Sequence, residues 1–593
     1  MNFVPIEKRT RAAPGAGAAL CAVIAASILL LLLIRPIGYV DTFDYAKHVV
    51  DESHHLLKPQ QNPFWEFGHV LGRPLGYVLW SPLRGVLRTL CQGDDILAAG
   101  SVLIGISIAA GFLGAIFLFL LLTRLTRNTT IAAIVSVAYL STHALLFYTE
   151  TGMAYVPGIS CQIAALYYLQ RFIDEGRFSA VRGALAGLFL GLSLVLWFPY
   201  VLSVPGILCY ALLIPETVPG GALTCDFRQR MPGLAGMAAG TIMPLLLVYL
   251  PVMIFCGFTH ASAIAQWIAR SRYDKRPING LLRMAGSIPR AFLALNQGNT
   301  EWKRILFEHR RFTAGVLIKT GVWKLLLVYG MFALLVAQLW RSMWGRRLLL
   351  CLAAAAIPVV IFAAFLFEAG PPERYMALFP LLFLGFAWIM ADRQASALVR
   401  LALAAFFASM LLTNMPALFR FRSEAGFESA RARLAALNPI LTSNDRILIF
   451  SLQDTVMGFV QAHPFDLLSR DRYLMIPAVP WGTIHVRQWR QQVAERTLSV
   501  WQRNGNIWIS QRLLYERPDP AWGWVAGDDP RVSWEEVPAF FHSLDLVSPR
   551  GGDDGFSEIA RTAKNEAHLT ALALPESPST LSSFHVLQKS EAR

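Results

Sequence analysis

The sequence predicts an all-α polytopic membrane domain followed by a smaller soluble α/β domain. Its 593 residues are 55% hydrophobic and only 16% charged, with a mean hydropathy of +0.46, which is too apolar for a soluble protein. Apolar windows of about 20 residues, the length that crosses a bilayer, recur between short basic clusters as far as residue 418. Beyond residue 420 the windows stop, and the remaining chain is long enough for a domain of its own.

The charge pattern favours a membrane over a nucleic acid as the partner of the basic residues. The net charge is +14 and the isoelectric point is near 9.6, but the basic residues lie in short clusters beside apolar windows rather than on one soluble surface. Seven cysteines lie mostly in or beside these windows, and none follows Cys351. We therefore predict no nucleic-acid partner, no disulfide framework and no cysteine metal site.

The first apolar window is predicted to remain in the membrane as an anchor. Lys8, Arg9 and Arg11 precede an apolar run over residues 16–34. This run is longer than the core of a signal peptide, and no small-residue cleavage site precedes Arg35. The basic residues before it indicate a cytoplasmic N-terminus.

Ten apolar windows in all are long enough to consider as spans. They cover about residues 16–38, 96–122, 131–149, 152–171, 183–214, 233–257, 314–340, 348–367, 375–391 and 397–418. Basic residues mark the cytoplasmic side, yet ten crossings would place Arg341, Arg346 and Arg347 outside. The window 183–214 is too long for one span and contains Pro199, which breaks a helix by removing a hydrogen bond. Two short spans meeting near Pro199 give eleven crossings and an extracytoplasmic C-terminus.

We therefore divide the chain into a transmembrane domain, residues 1–419, and an extracytoplasmic domain, residues 420–593, in the cytoplasmic (inner) membrane. The transmembrane domain would carry two large external segments, residues 39–95 and 258–313. Most ionisable residues that such a protein could use then lie on the external side.

The C-terminal domain is predicted to be a mixed α/β module. Apolar spacing predicts a helix from Ser423 to Leu437 and strands at 445–450 and 506–509. Beyond about residue 551 the composition turns to Gly, Asp, Ser and Pro, so we expect a frayed end.

Two carboxylates, Asp41 and Asp44, directly follow the anchor. A carboxylate at the membrane surface is costly unless it is paired or used, which makes this pair a candidate site. On a helix, Asp41 shares a face with Asp44, Tyr45 and His48, so one acid could accept a proton from a bound hydroxyl while its neighbours position it. The structural alternative is that Asp41 caps the N-terminus of an amphipathic helix.

The first external segment continues with interleaved aromatic and basic residues between 62 and 77, typical of a helix in the membrane interface. His69 and Arg73 in this stretch are candidate substrate contacts. His54, His55 and His69 lack the regular spacing of a metal site, and packing is the more common use of such residues. No cofactor is evident, and a divalent cation has no recognisable ligand set.

A further acid, Glu150, lies in a short turn between the third and fourth windows. Acids at a membrane boundary rarely lack a partner, which favours a second acidic site residue. A simple solvated turn residue is about as well favoured.

The long external loop contains a dense basic run, Arg270-Ser271-Arg272-Tyr273-Asp274-Lys275-Arg276. Guanidinium groups bind phosphate oxygens through forked hydrogen bonds, so we expect Arg270, Arg272, Lys275 and Arg276 to bind a lipid phosphate. General attraction to anionic headgroups is the alternative.

The last candidate is Glu373-Arg374-Tyr375, between the eighth and ninth windows. Either Glu373 and Arg374 pair with each other as a structural plug, or Arg374 faces a pocket and neutralises a departing phosphate. Tyr375 would supply an interfacial ring.

The chain has a carboxylate directly after its first span, an amphipathic first external segment, eleven predicted spans, a Glu-Arg-Tyr turn before a late span and an extracytoplasmic tail. In these features it resembles the GT-C superfamily of integral-membrane glycosyltransferases. It is most similar to bacterial relatives of protein O-mannosyltransferases and aminoarabinose transferases, whose first loop opens with an acid, an aromatic residue and a short helix. Asp41 stands in the acid position and Tyr45 in the tyrosine position. Glu150 lies where such enzymes carry a second acid, and the turn at 373–375 resembles their basic-tyrosine turn. Where the family has an Asp-Glu pair, this chain has Asp41-Thr42.

The resemblance implies transfer of a sugar from a polyprenyl-phosphate-linked donor to an acceptor outside the membrane. It makes Asp41 the general base, with Asp44 or Glu150 orienting the acceptor and Arg374 stabilising the leaving phosphate. The acceptor stays open between a protein, a lipid and a glycan. A secondary transporter or lipid flippase, which should show repeats and charge at mid-membrane, and a non-catalytic envelope assembly protein are the alternatives.

Overall fold

The computed structural model describes fifteen stretches of the chain, residues 16–34, 40–53, 63–91, 95–176, 178–214, 227–270, 280–295, 321–366, 371–424, 441–442, 444–449, 473–475, 489–515, 536–547 and 556–573. The chain divides into two compact units, one within residues 1–297 and 309–422 and one within 298–308 and 423–593. We call them the membrane unit and the C-terminal unit. The described part of the membrane unit is built from helices, and that of the C-terminal unit combines helices with a sheet, as predicted.

The membrane unit has sixteen described α-helices. They are α1 (Ala16–Ile34), α2 (Val40–Ser53), α3 (Gly72–Leu90), α4 (Asp95–Thr126), α5 (Thr129–Leu140), α6 (His143–Thr149), α7 (Tyr155–Asp174), α8 (Ala180–Leu196), α9 (Val204–Leu213), α10 (Phe227–Phe255), α11 (Ala261–Arg270), α12 (Gly280–Phe292), α13 (Val322–Trp340), α14 (Met343–Ile361), α15 (Phe379–Ala391) and α16 (Ala397–Glu424). A π-turn (Phe362–Leu366) extends α14, and short 3-10 helices occur at Pro63–Trp65, Phe67–His69, Phe198–Ser203 and Pro372–Leu378.

Within the described residues, six helices are long and apolar enough to cross a membrane, or seven spans if the bent pair α5 and α6 counts as one. The shorter apolar segments, which include α8 and α9, fall below this length. The interruption predicted near Pro199 is present, because α8 ends at Leu196 and the extended residue Trp197 leads through a 3-10 turn into α9. The total of eleven crossings stays a prediction.

The window predicted over residues 131–149 is present as a bent pair, in which α5 and α6 meet at an angle of 66°. The break falls at Ser141 and Thr142, whose hydroxyls donate to the carbonyl oxygens of Val137 and Tyr139 at 2.8 and 2.9 Å. Such side-chain bonds compete with the helical pattern and bend helices. Asn414 of α16 fixes the bend by donating to the Ser141 carbonyl oxygen at 2.7 Å.

Glycines bring α8 and α10 into backbone contact. A Cβ at Gly183, Gly187 or Gly191 would lie 1.9 to 2.5 Å from a carbonyl oxygen of α10. Small residues spaced four apart let membrane helices approach this closely, since lipid tails offer no hydrophobic drive for helix association.

Helix α3 has one buried and one exposed face. Gly76 and Trp80 are buried, whereas Val78, Val86 and Leu90 are 64, 65 and 74% exposed. An exposed apolar face opposite a packed one is the pattern of a helix lying in the membrane interface.

The C-terminal unit contains a five-stranded sheet of order β2-β1-β3-β5-β4. Its strands are β1 (Arg446–Ile449), β2 (Tyr473–Met475), β3 (Ile507–Ser510), β4 (Leu546–Val547) and β5 (Phe556–Ile559), and its helices are α17 (Trp489–Gln502), α18 (Arg512–Tyr515), α19 (Glu536–His542) and α20 (Ala563–Ala573). Strands β1 to β3 are parallel, and β5 runs antiparallel to its neighbours. The two predicted strands are thus present as β1 and β3, while the predicted helix 423–437 lies almost wholly outside the described residues.

Candidate functional site

The predicted acids Asp41 and Asp44 lie in the first two turns of α2, and their side chains are outside the described part of the structure. Thr42, between them, is fully buried. Its hydroxyl donates a hydrogen bond to the carbonyl oxygen of Thr151. The first turn of α2 is therefore joined to the turn that carries Glu150.

Glu150 follows the last residue of α6 and is fully buried. Neither of its carboxyl oxygens has a hydrogen-bond partner among the described residues. Burial raises the pKa of Glu150 to about 8. The alternative of a solvated turn acid is thus wrong, and near neutral pH the protonated carboxyl group can donate a hydrogen bond.

The turn after α6 is fixed by the close approach of α4. Gly152 has φ +72°, and a Cβ there would lie 2.8 Å from the backbone nitrogen of Ile104. Only glycine avoids both the strained backbone and the clash. Glu150 is therefore held on a turn with little freedom to move.

Arg73 holds the first external segment together from the start of α3. Its guanidinium group is buried, donates to the Pro63 carbonyl oxygen at 2.9 Å and to the Glu66 carboxylate at 2.6 Å, and lies 3.9 Å from the ring centroid of Tyr45. Burial by itself would raise the pKa of Glu66, but the charge and hydrogen bond of Arg73, with the charges of His69 and Arg374, together outweigh it and the pKa is lowered. Both predicted residues, Tyr45 and Arg73, thus lie in one buried contact.

His69 is buried between two tyrosine rings, with centroid distances of 5.5 Å to both Tyr45 and Tyr155. Burial lowers the pKa of His69 to about 4, with Glu66 opposing this and the nearby guanidinium groups adding to it. The imidazole is therefore neutral at physiological pH.

The Glu373-Arg374-Tyr375 segment lies in the 3-10 helix Pro372–Leu378. Glu373 accepts a hydrogen bond from the Tyr148 hydroxyl, and its carboxylate is 3.7 Å from the Arg374 guanidinium. That guanidinium lies 5.4 Å from the ring centroid of Trp197. The predicted pairing of Glu373 with Arg374 is present, and Tyr375 is buried rather than interfacial.

A chain of aromatic rings connects the two groups. The Tyr155 ring lies 5.5 Å from His69, 4.9 Å from Tyr148 and 4.6 Å from Trp197, measured between centroids. Arg374 also acts electrostatically on both His69 and its neighbour Glu66. We call Glu66, His69, Arg73, Glu373 and Arg374, which the structure brings together, the polar cluster.

Sequence reasoning missed four residues that build this site, Glu66, Tyr148, Tyr155 and Trp197. Trp197 belongs to the interruption noted at Pro199, and Tyr148 to the turn noted at Glu150, so their segments carried a signal although their contacts did not. Glu66 and Tyr155 stand out only once the helices are packed together.

A small cavity opens beside the polar cluster, between α2, α3, α4 and α7. Tyr45, His69, Arg73, Ser107 and Gly152 are among the residues that line it. The Nδ1 atom of His69 has no hydrogen-bond partner in the described structure. Within the described residues, no three His, Cys, Asp or Glu side chains come together as a metal ion would require.

Helices α10 and α11 also hold the first predicted external segment, each through one hydrogen bond. The Trp267 indole nitrogen donates to the Trp65 carbonyl oxygen at 2.7 Å, and the Tyr249 hydroxyl donates to the Phe67 carbonyl oxygen at 3.0 Å. These two bonds flank Glu66 in the sequence. The position of Glu66, and with it Arg73, therefore depends on α10 and α11.

The side chains of the predicted phosphate-binding run are outside the described part of the structure. Arg270 is the last residue of α11, and its side chain is outside the described part. Arg272, Lys275 and Arg276 lie wholly outside the described residues. Their role stays a prediction.

No protein-family model matches the sequence, and no curated protein sequence matches it significantly. Among solved structures, the chain is similar to ArnT from Cupriavidus metallidurans bound to undecaprenyl phosphate, with 11% identity, 95% of this chain and 100% of that chain covered, and a TM-score of 0.51. The apo state of the same ArnT gives a TM-score of 0.48 at 12% identity, with the same coverage of both chains. The Archaeoglobus fulgidus oligosaccharyltransferase in complex with Zn and sulfate gives 0.47 at 12% identity, covering 90% of this chain and 72% of that one.

The likeness to undecaprenyl-phosphate-bound ArnT extends over nearly the whole of both chains. ArnT is an aminoarabinose transferase with the GT-C fold. At this low identity the likeness shows the fold, so the chain has the fold of GT-C membrane glycosyltransferases and is a multi-pass membrane protein. The resemblance read from the sequence motifs is thus confirmed at the level of fold.

Proposed function

We propose that the chain is a membrane glycosyltransferase, which moves a sugar from a polyprenyl-phosphate-linked donor to an acceptor on the extracytoplasmic face of the cytoplasmic membrane. The observation that carries the proposal is the meeting of segments far apart in sequence. The start of α2 contacts the turn after α6, and that turn adjoins Tyr148, which binds Glu373. These segments carry the residues that the sequence marks for acid-base and phosphate chemistry.

The fold supports the choice of donor. The ArnT structure that shares it contains undecaprenyl phosphate, a polyprenyl phosphate. A lipid-linked donor brings the sugar across the membrane, so the chain needs no nucleotide-binding motif of its own.

In the proposed reaction the acceptor hydroxyl oxygen attacks the anomeric carbon of the sugar, and the bond from that carbon to the phosphate oxygen breaks. Asp41 accepts the hydroxyl proton, and the bonding electron pair leaves with the polyprenyl phosphate. Asp44 or Glu150 orients the acceptor, and a protonated Glu150 does so by donating a hydrogen bond. The basic run 270–276 stabilises the negative charge on the departing phosphate, and Arg374 adds to it while keeping its 3.7 Å contact with Glu373.

In this proposal, the other residues predicted to bind substrate are too buried to contact it and instead hold the site in shape. Tyr45, His69, Arg73, Glu373 and Tyr375 are each no more than 9% exposed. Their contacts hold α2, the first external segment and the 3-10 helix at 372–378 in place around the acids. Such support fixes the distance between the base and the sugar, on which the rate depends steeply.

The test is the substitution Asp41→Asn in protein reconstituted into liposomes with polyprenyl phosphates carrying radiolabelled sugars. Envelope extracts supply the acceptors, and the loss of label from the lipid measures transfer. We expect a fall of at least about 100-fold, the lower end of what a general base contributes. The conservative change keeps the size of the side chain, and folding is checked by gel filtration.

Asp51→Asn is the matched control, because Asp51 lies on the same helix and its carboxylate is 3.9 Å from the Lys47 ammonium. It should keep most of the activity. Asp44→Asn distinguishes the two candidate bases, since only the base should lose transfer completely. Full transfer by Asp41→Asn would exclude Asp41, and a wild-type protein that accepts no polyprenyl-linked sugar would contradict the proposal.

A further inference from the structure

Arg290 and Lys324 bring two positive charges together outside the polar cluster. Arg290 lies in the last turn of α12 and Lys324 in the first turn of α13. Both act electrostatically on the ring of His143, whose Nδ1 atom is 3.1 Å from the Arg290 carbonyl oxygen. The Lys324 ammonium donates to the carbonyl oxygen of Ala294, just beyond the end of α12. The two cations therefore share one small region.

These charges are not neutralised within the described structure. Neither Arg290 nor Lys324 forms an ion pair with a carboxylate among the described residues. The arginines of the polar cluster differ, since Arg73 and Arg374 each face a glutamate, at 2.6 and 3.7 Å. Two half-buried cations without a counter-charge repel each other, so this region is suited to an anion.

The start of α13 adds to the same positive potential. The helix begins after Gly321, has no side-chain cap and has no acidic residue in its first turn. The backbone N–H groups at a helix N-terminus carry a partial positive charge, and a lysine there increases it. A guanidinium, an ammonium and the N-terminus of a helix together form the usual surroundings of a bound phosphate.

The region lies beside an exposed apolar surface on a candidate span. Trp323 and Leu326, on the first turns of α13, are 43 and 70% exposed, and α13 is one of the candidate spans. The Lys324 ammonium lies 5.7 Å from the ring centroid of Trp323. Tryptophan and lysine at a helix end mark the level of the lipid headgroups, so the expected anion is the phosphate of a lipid.

We infer that Arg290, Lys324 and the N-terminus of α13 form a binding site for a lipid phosphate. The identity of the lipid rests on the proposed function, which makes it the polyprenyl phosphate. A sugar-linked polyprenyl phosphate is a diester with one negative charge, and the released product is a monoester with up to two. Two cations at this site would therefore bind the released product more tightly than the donor.

The experiment measures lipid binding directly, by native mass spectrometry of the full chain in detergent. The probes are undecaprenyl phosphate, phosphatidylglycerol and uncharged polyprenol. We expect the wild type to bind undecaprenyl phosphate in preference to polyprenol. The double variant Arg290→Gln with Lys324→Gln should bind it at least about tenfold more weakly, which corresponds to the loss of one charge-assisted hydrogen bond.

Three controls separate loss of the site from loss of the fold. Tyr329→Phe removes a 2.8 Å hydrogen bond from α13 to the Ala285 carbonyl oxygen of α12 without changing the charge, and it should bind normally. The charge-conserving pair Arg290→Lys with Lys324→Arg should also retain binding. Asp41→Asn should lose transfer and keep lipid binding.

Comparing undecaprenyl phosphate with phosphatidylglycerol identifies which lipid supplies the phosphate. If the double variant loses undecaprenyl phosphate alone, the site belongs to the donor lipid, and if it loses phosphatidylglycerol equally, the site binds phospholipid headgroups. Unchanged binding of both lipids by the double variant would overturn the inference while leaving the proposed function standing. If the wild type does not bind undecaprenyl phosphate but the double variant loses phosphatidylglycerol, the donor assignment fails and the phosphate site remains.

Discussion

Buried ionisable side chains define the site at the scale of single residues. Arg73, Glu150 and Glu373 are at most 4% exposed. Removing such groups from water is costly, so each must gain a partner or stay uncharged. Arg73 and Glu373 gain partners, whereas Glu150 has none among the described residues and holds its proton instead.

We expect Glu150→Gln to increase stability at pH 8 and to reduce sugar transfer. Because burial raises the pKa of Glu150 from its ordinary 4.5 to about 8, the unfolded chain releases this proton at a lower pH than the folded one. Wild-type stability should therefore fall as the pH rises from 4.5 to 8, and the variant should lack this part of the decline. Melting temperatures at pH 5 and pH 8 measure it, with an expected difference on the order of a few degrees. An equal decline in both proteins would contradict the assignment.

We expect Arg73→Met to destabilise the protein by about 3–5 kcal/mol, the usual cost of leaving one member of a buried ion pair alone. It removes the guanidinium from the Pro63 carbonyl and leaves the Glu66 carboxylate without its partner. Since the pKa of Glu66 is lowered, the pair contributes its stability above pH 4.5 and loses it as the pH falls.

Thermal unfolding of the double variant Glu66→Gln with Arg73→Met isolates the coupling between the two residues. It should be less destabilised than Arg73→Met alone, because no charge is then left unpaired. Strictly additive effects would show that the pair contributes nothing as a pair.

Residue types were readable from the sequence, but their partners were not. The sequence indicated Tyr45, His69, Arg73 and Arg374 as site residues, and the structure places them around one set of aromatic rings. The hydrogen bond from Tyr148 to Glu373 joins residues 225 positions apart, and nothing local in either segment encodes it.

At the scale of elements, the site depends on short segments held between long helices. Residues 63–71, part of the first predicted external segment, are fixed by hydrogen bonds from Arg73 and from α10 and α11. The turn at Gly152 is fixed by α4. The long helices supply rigidity, and the short segments supply the polar groups.

We expect Trp267→Phe to lower the turnover number of the proposed reaction about tenfold or more, with a smaller change in KM. Phenylalanine keeps the ring contact with Phe258 but loses the hydrogen bond to the Trp65 carbonyl, so the neighbouring Glu66 is less firmly placed. Steady-state kinetics with the labelled donor gives both constants. Trp340→Phe, at a position 63% exposed, is the control and should have no effect. A change in KM alone would argue against a positioning role.

The length of the apolar runs predicted most helices of the membrane unit. Local chemistry explains the two places where an apolar run is interrupted or bent. The interruption at Trp197 lies two residues before Pro199, whose ring removes a backbone N–H and favours a break. Proline alone does not decide this, since α10 continues through Pro232 and Pro244. The bend between α5 and α6 has no proline. It arises from two hydroxyls and the amide of Asn414, and the sequence shows the hydroxyls without showing the distant amide.

At the scale of the whole molecule, the proposed transfer depends on the fold and on its orientation in the membrane. The chain has the GT-C membrane fold, and in the proposed reaction the donor reaches the site from the lipid. The predicted orientation, with the N-terminus cytoplasmic and the C-terminal unit outside, is the condition for transfer on the extracytoplasmic face.

We expect reporter fusions to place residue 127 in the cytoplasm and residue 424 outside. The reason is the distribution of arginines, since Arg124 lies in the last turn of α4 and Arg127 directly follows it. The predicted odd number of crossings then places the two ends of the membrane unit on opposite sides. Alkaline phosphatase fused after Glu424 should be active, and fused after Arg127 it should be inactive, with green fluorescent protein giving the reverse pattern. Activity at both positions would refute the eleven-span topology.

By itself, the sequence determined the class of protein, the positions of its apolar helices, the break at Pro199, the two-unit order and the residue types of the site. These are local properties, because the length of an apolar run, a proline or a carboxylate beside a membrane can be read without knowing what lies opposite. The tertiary structure alone decided that Glu150 is buried without a hydrogen-bond partner in the described residues and that Arg73 and Arg374 face glutamates. It also decided that Arg290 and Lys324 face no carboxylate within the described part of the chain. The physical reason is that a buried group takes its charge state from neighbours supplied by other helices, and the packing that selects those neighbours depends on close contacts between backbones, such as the one at Gly152.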